Sequence, residues 1–171
     1  TNTTDDNWED LAGFDTNNVP EDGDYTIMLQ SEDSLGNRTI SYIDIIVDNT
    51  APLALINSPN DGDALSGSVD IMGTIEDINP FRYYLSIENS TGSIVYSKVY
   101  NNPVSFNDQT IYTWDTSSVD DGEYKIYLEA RDQTGNKEGS RSNPGTSVNM
   151  VDVAIDNTAP VIGFDNLTTK D

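Results

Sequence analysis

The chain has 171 residues, with eight Lys and Arg against thirty Asp and Glu for a net charge of -22, and 35% of its residues are hydrophobic. That charge repels phosphate backbones and anionic membrane surfaces, which argues against nucleic acid as a partner. No apolar run is long enough to span a bilayer, so direct membrane insertion is not expected. With no Cys and no His, disulfides, thiolate metal sites and Ser–His or Cys–His pairs are excluded, and oxygen is the ligand type that remains.

From the N-terminus, Phe14-Asp15-Thr16, then Val19, Gly23, Tyr25, Ile27, Leu29, Asp33, Gly36 and Asn37, lead into the pentapeptide Asp48-Asn49-Thr50-Ala51-Pro52. The same order returns as Trp114-Asp115-Thr116, then Val119, Gly122, Tyr124, Ile126, Leu128, Asp132, Gly135 and Asn136, ending in Asp156-Asn157-Thr158-Ala159-Pro160. Such self-similarity marks a repeat architecture. The offset is 100 residues from Asp15 to Asp115 and 108 between the pentapeptides, which places an insertion in the second copy over the polar stretch 138–146. With the pentapeptide as the junction, residues 1–49 are the C-terminal part of a first repeat, 50–158 a complete repeat and 159–171 the start of a third. An alternative is that strands from identical chains complete the partial ends, in a fibre or lattice.

Within the complete repeat the apolar residues alternate with period 2, so the class is all-β. Strands are expected at 53–58, 68–76, 81–88, 94–100, 110–115, 123–131 and 147–156. Seven short strands separated by turn signals are the pattern of an immunoglobulin-like β-sandwich. Parity assigns the core to Val69, Ile71 and Ile75, to Tyr83, Leu85 and Ile87, to Tyr124, Ile126, Leu128 and Ala130, and to Val151, Val153 and Ile155. Tyr25 and Tyr124 each follow Asp-Gly-x at the start of a strand, where a sandwich uses the hydroxyl to tie down the preceding corner.

The ordered set Trp-Asp-Thr, Asp-Gly-x-Tyr, Asp-x-x-Gly-Asn and Asp-Asn-Thr-Ala-Pro, followed by Pro59-Asn60-Asp61-Gly62 and Gly73-Thr74-Ile75-Glu76-Asp77, resembles the tandem immunoglobulin-like repeats of bacterial and archaeal surface proteins. Adhesins, S-layer proteins and multidomain secreted enzymes carry them. The resemblance covers nearly the whole chain and implies tandem sandwiches on an extracellular cell surface, serving as spacers or binding platforms, with neighbouring repeats as the first partners.

Sandwich topology brings three acidic segments to the end where the first strand of a repeat begins. They are the linker with Asp48 and Asn49, the loop with Glu76, Asp77 and Asn79, and the loop with Asp132 and Asn136. Ca2+ takes six to eight oxygens from carboxylates, amides and carbonyls, and an ion here would offset carboxylate repulsion and stiffen the junction. The same Asp and Asn residues also suit turns, because their side chains hydrogen-bond nearby backbone groups.

Sequons begin at Asn2, Asn37, Asn89 and Asn166, candidate glycosylation sites in an exported protein. Paired carboxylates can hydrolyse glycosides only within a substrate cleft, which a small sandwich rarely has, so no enzymatic activity is expected. An isopeptide link needs an inward Lys, whereas Lys125 has outward parity. The alternative function is a carbohydrate-binding module, or an accessory domain of a secreted enzyme, using Tyr84, Tyr96, Tyr100 and Tyr127 as exposed aromatics on surface glycans.

Overall fold

A computed structural model describes residues 13–139 and 149–163. The chain divides into two compact units, Thr1–Thr50 and Ala51–Asp171. In the first unit, β1 (Gly23–Glu32) and β2 (Arg38–Val47) form an antiparallel hairpin paired without a break from Gly23↔Val47 to Glu32↔Arg38. A short 3₁₀ turn, Thr16–Asn18, precedes it, capped by Asp15, whose carboxylate accepts the Asn17 N–H at 3.0 Å.

The second unit runs through β3 (Leu53–Ser58), β4 (Asp63–Leu65), β5 (Ser68–Glu76), β6 (Pro80–Asn89), β7 (Ile94–Asn101), β8 (Phe106–Asp115), β9 (Gly122–Asp132), β10 (Lys137–Glu138) and β11 (Met150–Ile155). One sheet has the order β3-β5-β8, and the other β4-β11-β9-β6-β7 with β10 beside β9. All seven expected strands are present. The short strands β4 and β10 are additions, too brief to show an alternation.

Alternation places one apolar face of each sheet inward, and the two faces share one core. Every residue that parity assigned inward is buried except Val69, which is half-buried near the end of its strand. Ala54, Ile56 and Trp114 join them, with Trp114 meeting the edge of the Tyr124 ring at a centroid distance of 5.5 Å. Each large apolar side chain buried in this way contributes about 1.5–3 kcal/mol. Gly73 in β5 allows a close approach, since a Cβ there would lie 2.5 Å from Ile111 Cδ1 and 2.7 Å from the Leu55 carbonyl oxygen.

The tyrosine corners form in both units. Tyr25 donates to the Glu21 carbonyl at 2.6 Å, and Tyr124 to that of Asp120 at 2.8 Å. Tyr96 and Tyr100 depart from the expectation of exposed aromatics. They lie opposite the inward residues Ile87 and Tyr83 and pack against the core, Tyr96 stacked on Tyr112 at 3.9 Å and Tyr100 on Tyr83 at 4.4 Å. Burial pushes the Tyr96 hydroxyl up to about 12, assisted by Tyr100. Tyr84 and Tyr127 remain half-buried. Lys125 is partly exposed and paired with Asp152, as its outward parity implies.

Candidate cation site at the loop end of the sandwich

The site is built by the two loops that follow β5 and β9. Pro80 pairs with Asp132, and the Gln133 N–H donates to the Asn79 carbonyl at 3.0 Å, so the loop after β5 is fixed against the turn after β9. Asp77 closes its own loop by accepting the Asn79 N–H at 2.6 Å. Ser105 Oγ holds the Asp77 backbone from both sides, accepting its N–H at 3.1 Å and donating to its carbonyl at 2.9 Å. One carboxylate oxygen of Asp77 and one of Asp132 lie within 4.8 Å of each other.

Asp132 carries two roles on one side chain. Its Oδ1 accepts from the backbone N–H groups of Gly135 at 2.6 Å and Asn136 at 2.9 Å and from Thr134 Oγ1 at 3.0 Å, which makes the turn. Its Oδ2 is buried and has no hydrogen-bond partner, although the residue is only 1% exposed. A buried oxygen without a partner costs about 1–3 kcal/mol, more for a charged group. Two carboxylates at this separation add repulsion on the order of 3 kcal/mol at an effective dielectric constant near 20. A hard cation removes both penalties, and oxygen donors are what Ca2+ selects.

The first unit holds the equivalent turn in a different state. Asp33 Oδ1 accepts the Leu35 and Asn37 N–H groups, both at 2.9 Å, and Asn37 Nδ2 donates to Oδ2 at 2.8 Å. Both oxygens are therefore satisfied, and these bonds, the Asn37 side chain first, hold the Asp33 carboxyl below its usual range. In the second unit Thr134 stands where the first has Leu35, and its hydroxyl accepts Asn136 Nδ2 at 2.9 Å. Asp132 Oδ2 is left open.

Each of the other residues proposed from sequence has bonds inside its own unit. Glu76 is exposed and accepts from Asn107 Nδ2 at 3.1 Å. Asn49 is held inside the first unit: Thr16 Oγ1 donates to its Oδ1 at 2.9 Å, its Nδ2 donates to the Thr16 carbonyl at 3.1 Å, and its N–H reaches Asp22 at 2.9 Å. Asp22 also accepts from Thr50 Oγ1. Asp48 accepts the Thr50 N–H at 3.3 Å.

The same clasp recurs in the second unit. Asn157 Nδ2 donates to the Thr116 carbonyl at 2.9 Å, the Asn157 N–H to Asp121 at 2.7 Å, and Thr158 Oγ1 to the other Asp121 oxygen. The threonine hydroxyl first, then the asparagine N–H, hold Asp22 and Asp121 below the usual carboxylate range. The shared Asp-Asn-Thr is thus a lock between the end of each unit's last strand and its Asp-Gly corner. That role escaped the sequence reading, although the repeated Asp before Gly23 and Gly122 was its signal.

Of the sequons, Asn2 and Asn166 lie outside the described residues. Asn37 is bonded to Asp33, and Asn89 Oδ1 caps its own turn by accepting from Thr91 N at 3.1 Å and Ser93 N at 3.0 Å. Among the described residues, no helix is long and apolar enough to cross a membrane.

Two sheets around one core, with tyrosine corners and repeated clasps, define an immunoglobulin-like module. A family model for the bacterial Ig-like domain (group 3) matches residues 7–93 and 108–171, two segments that begin at nearly equivalent points of the internal repeat, and the chain belongs to that family. A comparison with curated proteins gives no match. Among solved structures, the tetra-tandem repeat in the extending region of a large adhesion protein is similar at 23% identity and a TM-score of 0.51, over 80% of this chain and 32% of that one. An endo-beta-1,4-mannanase from Thermotoga petrophila aligns at 16% identity and a TM-score of 0.41, over 65% of this chain and 21% of the enzyme. The chain therefore spans less than a third of either neighbour's chain.

Proposed function

We propose that this chain is a non-catalytic spacer segment of an extended extracellular surface protein, of the adhesin, S-layer or filament kind, whose repeat junctions are stiffened by calcium. The observation that carries the reading is the buried, unpartnered Oδ2 of Asp132 beside the carboxylate of Asp77. Likeness in fold to repeats in the extending region of an adhesion protein supports the spacer role.

Connectivity supports placing the ion at a junction. Leu53 opens β3 opposite Glu76, so the chain preceding Leu53 enters the sandwich beside the Asp77 loop. Asp48 is five residues earlier, a span of no more than about 18 Å of extended chain, and it is the linker carboxylate that would complete the oxygen set with Asp77 and Asp132. Neighbouring repeats are then the direct partners of the site.

Small-angle scattering of the chain with calcium and with a chelator tests the spacer role. Calcium should narrow the distribution of interatomic distances and raise the maximum dimension, and Asp77→Ala should abolish that response. Identical profiles in both conditions would remove calcium stiffening from the account.

A further inference from the structure

The outer face of the larger sheet carries a row of three cations that the spacer role does not use. Arg131 pairs with Arg82 on one side and with Lys137 on the other, so the three stand side by side on β6, β9 and β10. Adjacent strands are about 4.8 Å apart, and like charges directly opposite each other destabilise a sheet. Three of the eight basic residues in a chain of net charge -22 are gathered here. Even so, among the described residues none of the three pairs with a carboxylate. All three are exposed around a groove of about 260 Å³, together with Tyr84, Val99 and Glu129.

The first unit shows that the fold does not require this arrangement. Glu32 and Arg38 occupy the positions of Arg131 and Lys137, in the same register, and form an ion pair at 2.8 Å. Changing that acid to arginine turns a neutral pair into two like charges facing a third. The chemistry that compensates such a row is a ligand bearing several anionic oxygens.

From this geometry we infer that the groove binds an acidic oligosaccharide with carboxylate-bearing rings, of the uronate class. Arg82 and Arg131 offer planar forks that match a carboxylate bidentately, and Lys137 adds a point charge. Tyr84 and Val99 lie directly opposite each other in the neighbouring row and supply an apolar platform for a sugar ring. An acidic peptide strand is less suited to this position, since extended peptides add to sheet edges and this groove runs across a sheet face. The net negative charge of the chain does not forbid the ligand, because at physiological salt exposed charges more than about 8 Å away are largely screened.

The test is a titration of the isotope-labelled chain with tetragalacturonate and, separately, with neutral galactotetraose, followed by amide shifts in the presence of EDTA so that calcium cannot bridge sugar to protein. Shifts should cluster at residues 82, 84, 99, 131 and 137 with the acidic sugar alone, and the affinity should fall as salt rises. Arg131→Glu restores the residue type found at Glu32, so it should keep the melting temperature while weakening binding about tenfold or more. Equal binding of the neutral sugar, no shifts with the acidic one, or unchanged affinity in Arg131→Glu would overturn the inference. If sedimentation instead shows salt-sensitive self-association that Arg131→Glu abolishes, with no binding of tetragalacturonate, the groove serves the acidic surface of a second copy and the glycan assignment fails.

Discussion

The β1–β2 hairpin and its counterpart in the second unit, β9 with β10 and β11, share motifs, corner tyrosines and clasps, yet their surroundings differ. Ile126, Leu128 and Val151 are buried in a two-sheet core. Their equivalents Ile27, Leu29 and Ile43 are 43%, 54% and 60% exposed. The local sequence makes the same hairpin twice, but burial needs a facing sheet. The polar sites differ too: the turn that is self-satisfied at Asp33 is left open at Asp132, and the ion pair at Glu32–Arg38 becomes two like charges. A repeated scaffold thus differs between its two copies at a few polar positions.

The comparison breaks most sharply in the core. Ile126→Ala should cost about 2–5 kcal/mol by losing buried methyl groups and leaving a cavity. Ile27→Ala in the same chain should change stability by no more than about 0.5 kcal/mol. Denaturant unfolding followed through Trp114 checks the first. Amide exchange of the hairpin checks the second, and similar losses at both sites would mean the two hairpins are equally covered.

A smaller effect is expected from Thr134→Leu, which gives the second turn the sequence feature of the first. The variant removes the hydroxyl that accepts from Asn136 Nδ2, so Asn136 can donate to Asp132 Oδ2 as Asn37 does to Asp33. Stability in chelator should rise by about 1 kcal/mol and calcium should bind more weakly, both readable from melting curves. A variant with unchanged calcium response would break the link between Thr134 and the open oxygen.

The smallest effect lies in the clasps. The Asp121 carboxyl is held below its ordinary value of 3.8, first by the Thr158 hydroxyl and then by the Asn157 N–H. A depressed folded value contributes stability that is fully present above the unfolded value and is lost as pH falls through the folded one. Wild type should therefore lose more stability than Asp121→Asn between about pH 4 and pH 2, and Asp22→Asn should show the same sign in the first unit. Parallel acid melts for Asp121→Asn and wild type would contradict the role assigned to the clasp.

Much of the fold was legible because period-2 alternation reports directly on which face a residue occupies. Ile71, Leu85, Ile126 and Val153 were read inward and are buried. The meeting of the Asp77 and Asp132 loops was legible as well, since each strand reverses direction and so fixes which loops share an end. Tyr96 and Tyr100 were not legible, because β7 carries apolar residues at both parities, Val95 and Val99 on one and Tyr96 and Tyr100 on the other, so alternation alone does not choose the inward face. Asn49 and Asn157 were hidden for a related reason: their clasp partners Asp22 and Asp121 lie 27 and 36 residues away in the chain. The row Arg82, Arg131 and Lys137 likewise exists only through cross-strand register, and three scattered basic residues carry no local signal of it.

The central claim is that Asp132 keeps one oxygen open for calcium, and calorimetric titration of calcium into the chain tests it most directly. Wild type should bind with a dissociation constant on the order of 10⁻⁴ to 10⁻³ M, and Asp132→Asn should show no measurable binding while remaining folded in chelator. No heat of binding in wild type, or equal binding in Asp132→Asn, would contradict it.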